Sequence, residues 1–337
     1  MPTFAHDEQI ASQPAAVREA LGRIEAPALD PERPVLFTGI GTSLHACRIA
    51  AQWTAILSGG AIRPHAVEAH DLADRAPLRA ADQVVVVSHR GSKRFPNAVL
   101  DRARSVGTRT VAVTGEGPHA PDADTVLCTC PGERAATHTV SYLTALVALG
   151  RLVARLLGEA AARPLTEALA ATPALLDRAV EAPAPTDAAA RLAERAPLLV
   201  AGFGLDAVTA GEGALKIKEG AYLWAEGMSA EAALHGPAAV YQDPAAMVTI
   251  APADDDGGRI GQLQQLGNDL GLPVLTCASE PNADLWFPEA PALVQPMLAI
   301  VPLQRLVAEL ARVRATNPDT IRTDEEPWAS AMKRIAL

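Results

Sequence analysis

Aromatic residues are scarce in this chain, with five Phe, four Trp and three Tyr among 337 residues. Surfaces that stack nucleic-acid bases need such rings, so a base-stacking platform is not expected. Positive charge is also short: 29 Lys and Arg stand against 39 Asp and Glu, a formal charge of −10. A chain of that balance is a poor general binder of nucleic acid or anionic membrane, and a local basic patch stands out against it. Cysteine is limited to Cys47, Cys128, Cys130 and Cys277, with no C-x-x-C pair. That excludes a disulfide scaffold and points to a reducing, cytoplasmic setting. Cys128 and Cys130 read as small hydrophobes on one face of a strand, and no metal site is expected of them. The N-terminus lacks the basic flank and apolar core of a signal peptide. The longest uncharged apolar run, from Thr137 to Gly150, is closed by Arg151 and is too short to cross a bilayer.

What is present is a large apolar fraction, 49%, enough for a sizeable core and too high for general disorder. The length suits two domains. The sequence is also written twice. Pro34-Val-Leu-Phe-Thr-Gly-Ile-Gly41 matches Pro197-Leu-Leu-Val-Ala-Gly-Phe-Gly204 at an offset of 163. The same offset carries Val84–Val87 onto the run ending at Ile250, and Thr110–Thr114 onto Pro273–Cys277. Three apolar runs sharing one offset predict a duplicated domain. Each run is followed by a Gly-containing turn and a helical stretch, as in Thr42–Leu57 and Phe95–Ser105. Continuous apolar strands separated by helices predict parallel sheets covered on both faces. The fold expected is α/β, two tandem doubly wound parallel-sheet domains of the flavodoxin-like kind. The first spans 1–190, including the N-terminal segment and an Ala- and Pro-rich helical linker. The second spans 191–337, with a helix from Gln295 to Arg314 and an Asn-Pro-Asp turn in its tail.

In such sheets ligands sit at the carboxyl ends of the strands. The turn Ser88-His89-Arg90-Gly91-Ser92-Lys93-Arg94 follows a strand and opens a helix. Its backbone N–H groups, the helix dipole and its basic side chains suit a phosphate or another anion. Gly39-Ile-Gly41-Thr42-Ser43-Leu44 is a second such turn. Leu44 breaks the G-x-G-x-x-G fingerprint, so a dinucleotide is not expected. The matching positions of the second half, Leu205-Asp206 and Ala251–Asp254, lack this chemistry, which predicts one anion site per chain.

The second half offers Ala214-Leu-Lys216-Ile-Lys218-Glu219, and then His235-Gly-Pro237. Glu219 stands among apolar neighbours, where reduced hydration raises a carboxyl pKa and prepares a general base. The same spacing also fits an ordinary charged helix face shared with Lys216 and Lys218, and a lone histidine before Gly-Pro is often structural.

These segments together resemble one family over nearly the whole chain. They are Gly41-Thr-Ser43, the Ser88 turn, Glu133 with Thr139, the helix ending in Glu219, His235-Gly-Pro and Asn317-Pro-Asp-Thr-Ile-Arg322. They resemble the double sugar-isomerase (SIS) domain proteins, meaning the isomerase half of glutamine–fructose-6-phosphate amidotransferase and its stand-alone relatives. The resemblance implies that Gly41, Thr42, Ser43 and residues Ser88 to Lys93 hold a sugar phosphate, and that Ala136 and His138 contact sugar hydroxyls. It implies that Glu219 moves a proton between C1 and C2 of an opened sugar, and that His235, supplied by a neighbouring subunit of a homodimer, helps open the ring. No metal or organic cofactor is implied.

Three departures from the family pattern bear on function. Arg90 and Lys93 replace neutral hydroxyl residues in the Ser88 turn. Glu326 stands where the family tail carries a lysine, and the next lysine is Lys333. No glutaminase segment precedes residue 34, and residue 2 is Pro. The expected activity is therefore a phosphosugar isomerase or deaminase. A ketosamine-phosphate deglycase and a non-catalytic sugar-phosphate sensor are its alternatives. Retention of both Glu219 and His235 favours an enzyme.

Overall fold

The computed structural model describes residues 2–335. In chain order its elements begin with α1 (Ala5–Arg23), β1 (Val35–Gly39), α2 (Thr42–Leu57), β2 (His65–Glu68), α3 (Ala69–Asp74) and β3 (Gln83–Val87). Next come α4 (Arg94–Val106), β4 (Arg109–Thr114), β5 (Thr125–Cys128), α5 (Val140–Leu157), α6 (Glu159–Glu181) and α7 (Thr186–Leu192). The second half has β6 (Leu198–Gly202), α8 (Leu205–Ala221), β7 (Ala225–Ser229), α9 (Ala230–Leu234), β8 (Ala246–Ile250), α10 (Arg259–Asp269), β9 (Val274–Ala278), β10 (Leu285–Trp286), α11 (Gln295–Arg314) and α12 (Trp328–Met332).

The strands form two five-stranded, all-parallel sheets. The first has the order β2-β1-β3-β4-β5 and the second β7-β6-β8-β9-β10, the same doubly wound path. The duplication extends to single residues. Gly41 caps α2 with φ 55° and ψ −124°, and Gly204, 163 residues later, caps α8 with φ 57° and ψ −123°. Only glycine enters that region cheaply. The glycine two residues earlier is also needed in each copy. A Cβ on Gly39 would come within 2.8 Å of Ser43, and one on Gly202 within 2.1 Å of the Asp206 carbonyl oxygen. Each Gly-x-Gly thus lets the helix start directly on top of its strand.

The last strand of each sheet is tied on by the same device. Asp124 accepts from the amide and hydroxyl of Thr110 at 2.8 and 3.1 Å, and Asp284 accepts from those of Thr276 at 2.8 and 3.3 Å.

The two compact units do not meet at a single cut near residue 190. One unit holds the second sheet together with residues 2–14 and the strip Arg134–Thr139. The other holds Ala15–Glu133, Val140–Pro173 and residues 329–335. The reason is local bonding. The Asp319 carboxylate caps the start of α1, accepting from the Ala5 and His6 amides at 2.8 and 2.9 Å. The Ala136 and Thr137 amides donate to the carbonyls of Asp319 and Pro318.

In the first unit the all-buried strands β1 and β3 and the buried Trp53 of α2 anchor the core. α5 continues the apolar run through Arg151 to Leu157. It is the one described helix long and apolar enough to cross a membrane by length and composition, and most of it is buried inside the protein. The Arg151 guanidinium donates to the Leu21 carbonyl at 2.6 Å. β5 ends at Cys128, so Cys130 lies beyond the strand. All four cysteines are free thiols, and Cys47, Cys130 and Cys277 are buried.

Candidate active site

In the first unit the turn after β1 and the turn after β3 leave neighbouring strands at the same end of the sheet. Gly41, Thr42 and Ser43 form the first, with the Ser43 amide donating to the Ile40 carbonyl at 3.1 Å. Ser88 to Lys93 form the second. The Gly91 amide closes it onto the Ser88 carbonyl at 3.1 Å, and Gly91 has φ 64°. A Cβ there would meet the His119 carbonyl oxygen at 2.5 Å, so the position requires glycine twice over. The turn delivers the chain to Lys93, which caps α4 without any side-chain acceptor for the first helical amides.

Ser88 is 6% exposed, and its hydroxyl finds no hydrogen-bond partner. A buried orphan hydroxyl costs free energy unless a ligand completes it. Burial lowers the His89 pKa, with Arg90 acting in the same direction and Glu133 against it. The imidazole is accordingly neutral at neutral pH, and its Nε2 accepts the Glu133 amide at 3.3 Å. His89 and Glu133 are a pair of potential metal donors, but both are already engaged. The Glu133 carboxylate caps α5 through the Val140 amide and the Ser141 hydroxyl, both at 2.6 Å. Burial lowers the Lys93 pKa as well, and the neighbouring Arg90 adds to the effect.

The second unit serves as an internal control for this anion site. At the place equivalent to Ser43, Asp206 lies 2% exposed and bonds to Thr209 at 3.1 Å and Gln295 at 2.8 Å. The Gln295 amide also donates to the Ala251 carbonyl at 2.8 Å, plugging the crevice between β6 and β8. The start of α10 is filled by the chain's own carboxylate, because Asp256 accepts from the Gly258 and Ile260 amides at 2.9 and 2.7 Å. Where the first unit leaves helix amides uncapped beside cations, the second satisfies them with aspartate.

Glu219 lies in the last turn of α8. Its carboxylate accepts from Lys216 at 2.6 Å, and Lys216 stands 3.5 Å from Glu212. Lys216 and Glu212 are 1% and 0% exposed, whereas Glu219 keeps 24% of its side-chain surface. This is not the solvated charged face that the same spacing allows. Burial raises the Glu219 pKa, Lys216 opposes the rise, and Glu212 reinforces it.

The next residue, Gly220, takes the strip Arg134–Thr139 and the tail against it. A Cβ there would meet Val307 at 2.3 Å, Pro318 at 3.1 Å and the Thr137 hydroxyl at 3.6 Å. Thr137 stands between Ala136 and His138, so the strip expected to contact sugar hydroxyls packs beside the turn that carries Glu219. Tyr222, at φ 54°, caps α8 in the left-handed region. Its hydroxyl donates to the Asn317 carbonyl and accepts the Arg322 amide, both at 3.0 Å.

His235 is brought elsewhere in this unit, to an exposed turn after α9. Its Nε2 lies 2.7 Å from Glu231, whose other oxygen lies 2.7 Å from Arg259. His235 and Glu231 are 73% and 52% exposed. The hydrogen bond to His235 holds the Glu231 carboxyl below its usual range. Lys333 is exposed in the other unit.

Sequence reasoning gave no site role to three residues of the second unit. Lys216 is the lysine bound to the candidate base. Asp319 joins the tail to α1. His6 is fully buried, with its ring nitrogens 3.2 Å from the carbonyls of Thr137 and Gln304. Burial lowers its pKa, so the ring is neutral and donates to one of them. Only Lys216 carried a local signal, its place three residues before Glu219.

Comparison with known proteins agrees with this fold. Residues 28–155 match the SIS domain. The glutamine–fructose-6-phosphate aminotransferase (isomerizing) of Pyrococcus horikoshii is 30% identical over 341 residues, covering 94% of this chain and 56% of that enzyme. The chain thus spans about half the length of the curated relatives it matches. Among solved structures, the C-terminal domain of glucosamine-fructose-6-phosphate aminotransferase from Francisella tularensis superposes with a TM-score of 0.82 at 20% identity, covering 94% of this chain and 98% of that one. Glucosamine-6-phosphate deaminase from Thermotoga maritima gives a TM-score of 0.72 at 20% identity, over 94% and 97% of the two chains. These curated relatives are isomerizing aminotransferases, the structural neighbours share the fold, and residues 28–155 of this chain carry a SIS domain.

Proposed function

We propose that the protein is a phosphosugar isomerase or deaminase acting by proton transfer through an enediol or enolamine. The observation that carries the reading is the Glu219 carboxyl, desolvated yet partly open and hydrogen-bonded to the buried Lys216. Abstracting a proton next to a carbonyl needs a base of raised pKa and a fixed handle on the substrate. Glu219 is the base. Lys216 stabilises its ionised form and disperses negative charge as the enediolate forms. Ser88, the uncapped start of α4 and the basic side chains of the turn are the handle for an anionic group. Gly41, Thr42 and Ser43 supply the neighbouring turn, and Ala136 and His138 contact sugar hydroxyls.

His235 takes part in ring opening. A proton-transferring imidazole works best away from bulk water, and this one is largely exposed on its own chain. The reading therefore includes a homodimer in which a second copy covers it, working in the cytoplasm, where the thiols stay reduced.

The test is solvent deuterium exchange into C1 or C2 of a panel of hexose and amino-sugar phosphates. Exchange by the wild type and its loss by about 10²-fold or more in Glu219→Gln is the expected result. Binding without exchange identifies a sensor on the same fold. Unchanged turnover in Glu219→Gln removes that residue from the mechanism.

A further inference from the structure

Three cations crowd the turn that opens α4: Arg90, Lys93 and Arg94. Among the described ion pairs none of them has a carboxylate partner. The acidic groups on neighbouring segments of the same unit are committed elsewhere. Asp101 and Asp122 pair with Arg104, and Glu116 pairs with Arg23. Glu133 is spent on the start of α5. Arg94 lies over the Phe95 ring, 5.1 Å from its centroid, which orients it without neutralising it. Arg90 acts on Lys93 as an uncompensated like charge. The same turn holds the buried, unpartnered Ser88 hydroxyl and the uncapped amides of α4. In a chain of formal charge −10, a concentration of about three positive charges and a helix N-terminus in seven residues is a feature with a cost.

A phosphate monoester brings up to two negative charges. It satisfies the hydroxyl, the amides and two of the cations, and it leaves one cation over. Resting on the reading of the protein as a phosphosugar enzyme, we propose that the substrate carries a second acidic group besides its phosphate, and that Arg90 and Lys93 select for it. The chemistry required is an anion of about three charges whose acidic groups lie within reach of one turn. A sugar bisphosphate, a phosphorylated sugar acid and a sugar diphosphate all meet it, and they differ in how far apart the acidic groups stand.

The experiment is calorimetric titration of the full-length protein at low and at physiological salt. The ligands are a hexose 6-phosphate, a hexose 1,6-bisphosphate, a 6-phosphorylated aldonic acid and a hexose 1-diphosphate. The expected result is at least tenfold tighter binding of one or more of the three polyanions than of the monophosphate at physiological salt. Their ranking names the source of the second charge. In the double variant Arg90→Ser, Lys93→Thr, both exposed or half-exposed positions, the monophosphate is weakened because cations of its handle are gone, but the polyanions lose at least fivefold more, so that the preference falls to within about twofold. Equal affinity for monophosphate and polyanions in the wild type overturns the proposal and leaves the enzyme reading intact. A preference that survives in the double variant also overturns it, by placing selection on other residues. Failure of all four ligands to bind overturns both readings together.

Discussion

Asp206 gives the second unit a titration that can be calculated and removed. Its carboxyl is 2% exposed at the start of α8, and burial pushes its pKa up from an ordinary 3.8 to about 7, against the pull of hydrogen bonds from Gln295 and Thr209. On unfolding, the group returns to its ordinary value. Between these limits the folded chain holds a proton that the unfolded chain has lost. The stabilisation is therefore fully present below about pH 4 and is lost as pH rises through about 7. A displacement of about three pKa units at 1.36 kcal/mol each makes the loss about 4 kcal/mol.

The perturbation is Asp206→Asn. Asparagine is neutral at every pH, its Oδ1 can accept from Gln295, and its Nδ2 can donate to the Thr209 hydroxyl, so the two partners stay satisfied. The assay is urea unfolding at half-unit steps from pH 4 to 8, followed by tryptophan fluorescence. Trp224, Trp286 and Trp328 all belong to the unit that contains Asp206. The expected result is a stability difference, variant minus wild type, that climbs by about 4 kcal/mol across this range and then levels. A difference that stays flat with pH refutes the argument, because Asp206 would then ionise alike in both states.

Lys216→Met should cost about 3–5 kcal/mol, since it removes the buried ammonium that faces the fully buried Glu212, and adding Glu212→Gln should restore much of the melting temperature. With the cation gone the Glu219 carboxyl moves further up, so the acidic limb of the kcat/KM profile shifts to higher pH in Lys216→Met. Gly220→Ala should lower stability by about 1–3 kcal/mol through contact with Val307 and Pro318, whereas Gly236→Ala, with open space around it, should leave the melting temperature nearly unchanged. Ser88→Ala removes an unsatisfied buried hydroxyl, so the ligand-free melting temperature should hold or rise while the shift induced by a hexose phosphate shrinks. A drop in the ligand-free protein alone would show that the hydroxyl serves the fold.

The parts of this structure that were legible in the sequence are those whose signal is local. α2 and α11 have the bounds that the apolar spacing predicts, and the offset of 163 reappears in the paired conformations of Gly41 and Gly204. Two of the edge strands, β2 and β10, were not legible. β2 has exposed ends and only half-buried middle residues, and β10 is two residues long, so neither writes an apolar run. Both are fixed by neighbours instead, β2 by pairing with β1 and β10 by the Asp284–Thr276 bonds.

The site divides in the same way. Residue types and spacing nominate Glu219 and the Ser88 turn, but whether Lys216 is solvated or buried depends on what covers α8, and no spacing along the helix carries that information. Leu303 of α11 lies so close that a Cβ on Gly213 would meet it at 2.7 Å. The tail then closes the end of α8, where the Thr316 hydroxyl and the Arg314 guanidinium take the Gly220 and Ala221 carbonyls. Asp319 reaches the amides of Ala5 and His6 across more than 310 residues of chain. The burial of the Lys216–Glu212 pair, and with it the raised pKa of the candidate base, is therefore a property of elements scattered from the first helix to the tail. That is why substitutions at Gly220 or Asp319, far in sequence from any catalytic motif, should register in the pH dependence of turnover as well as in stability.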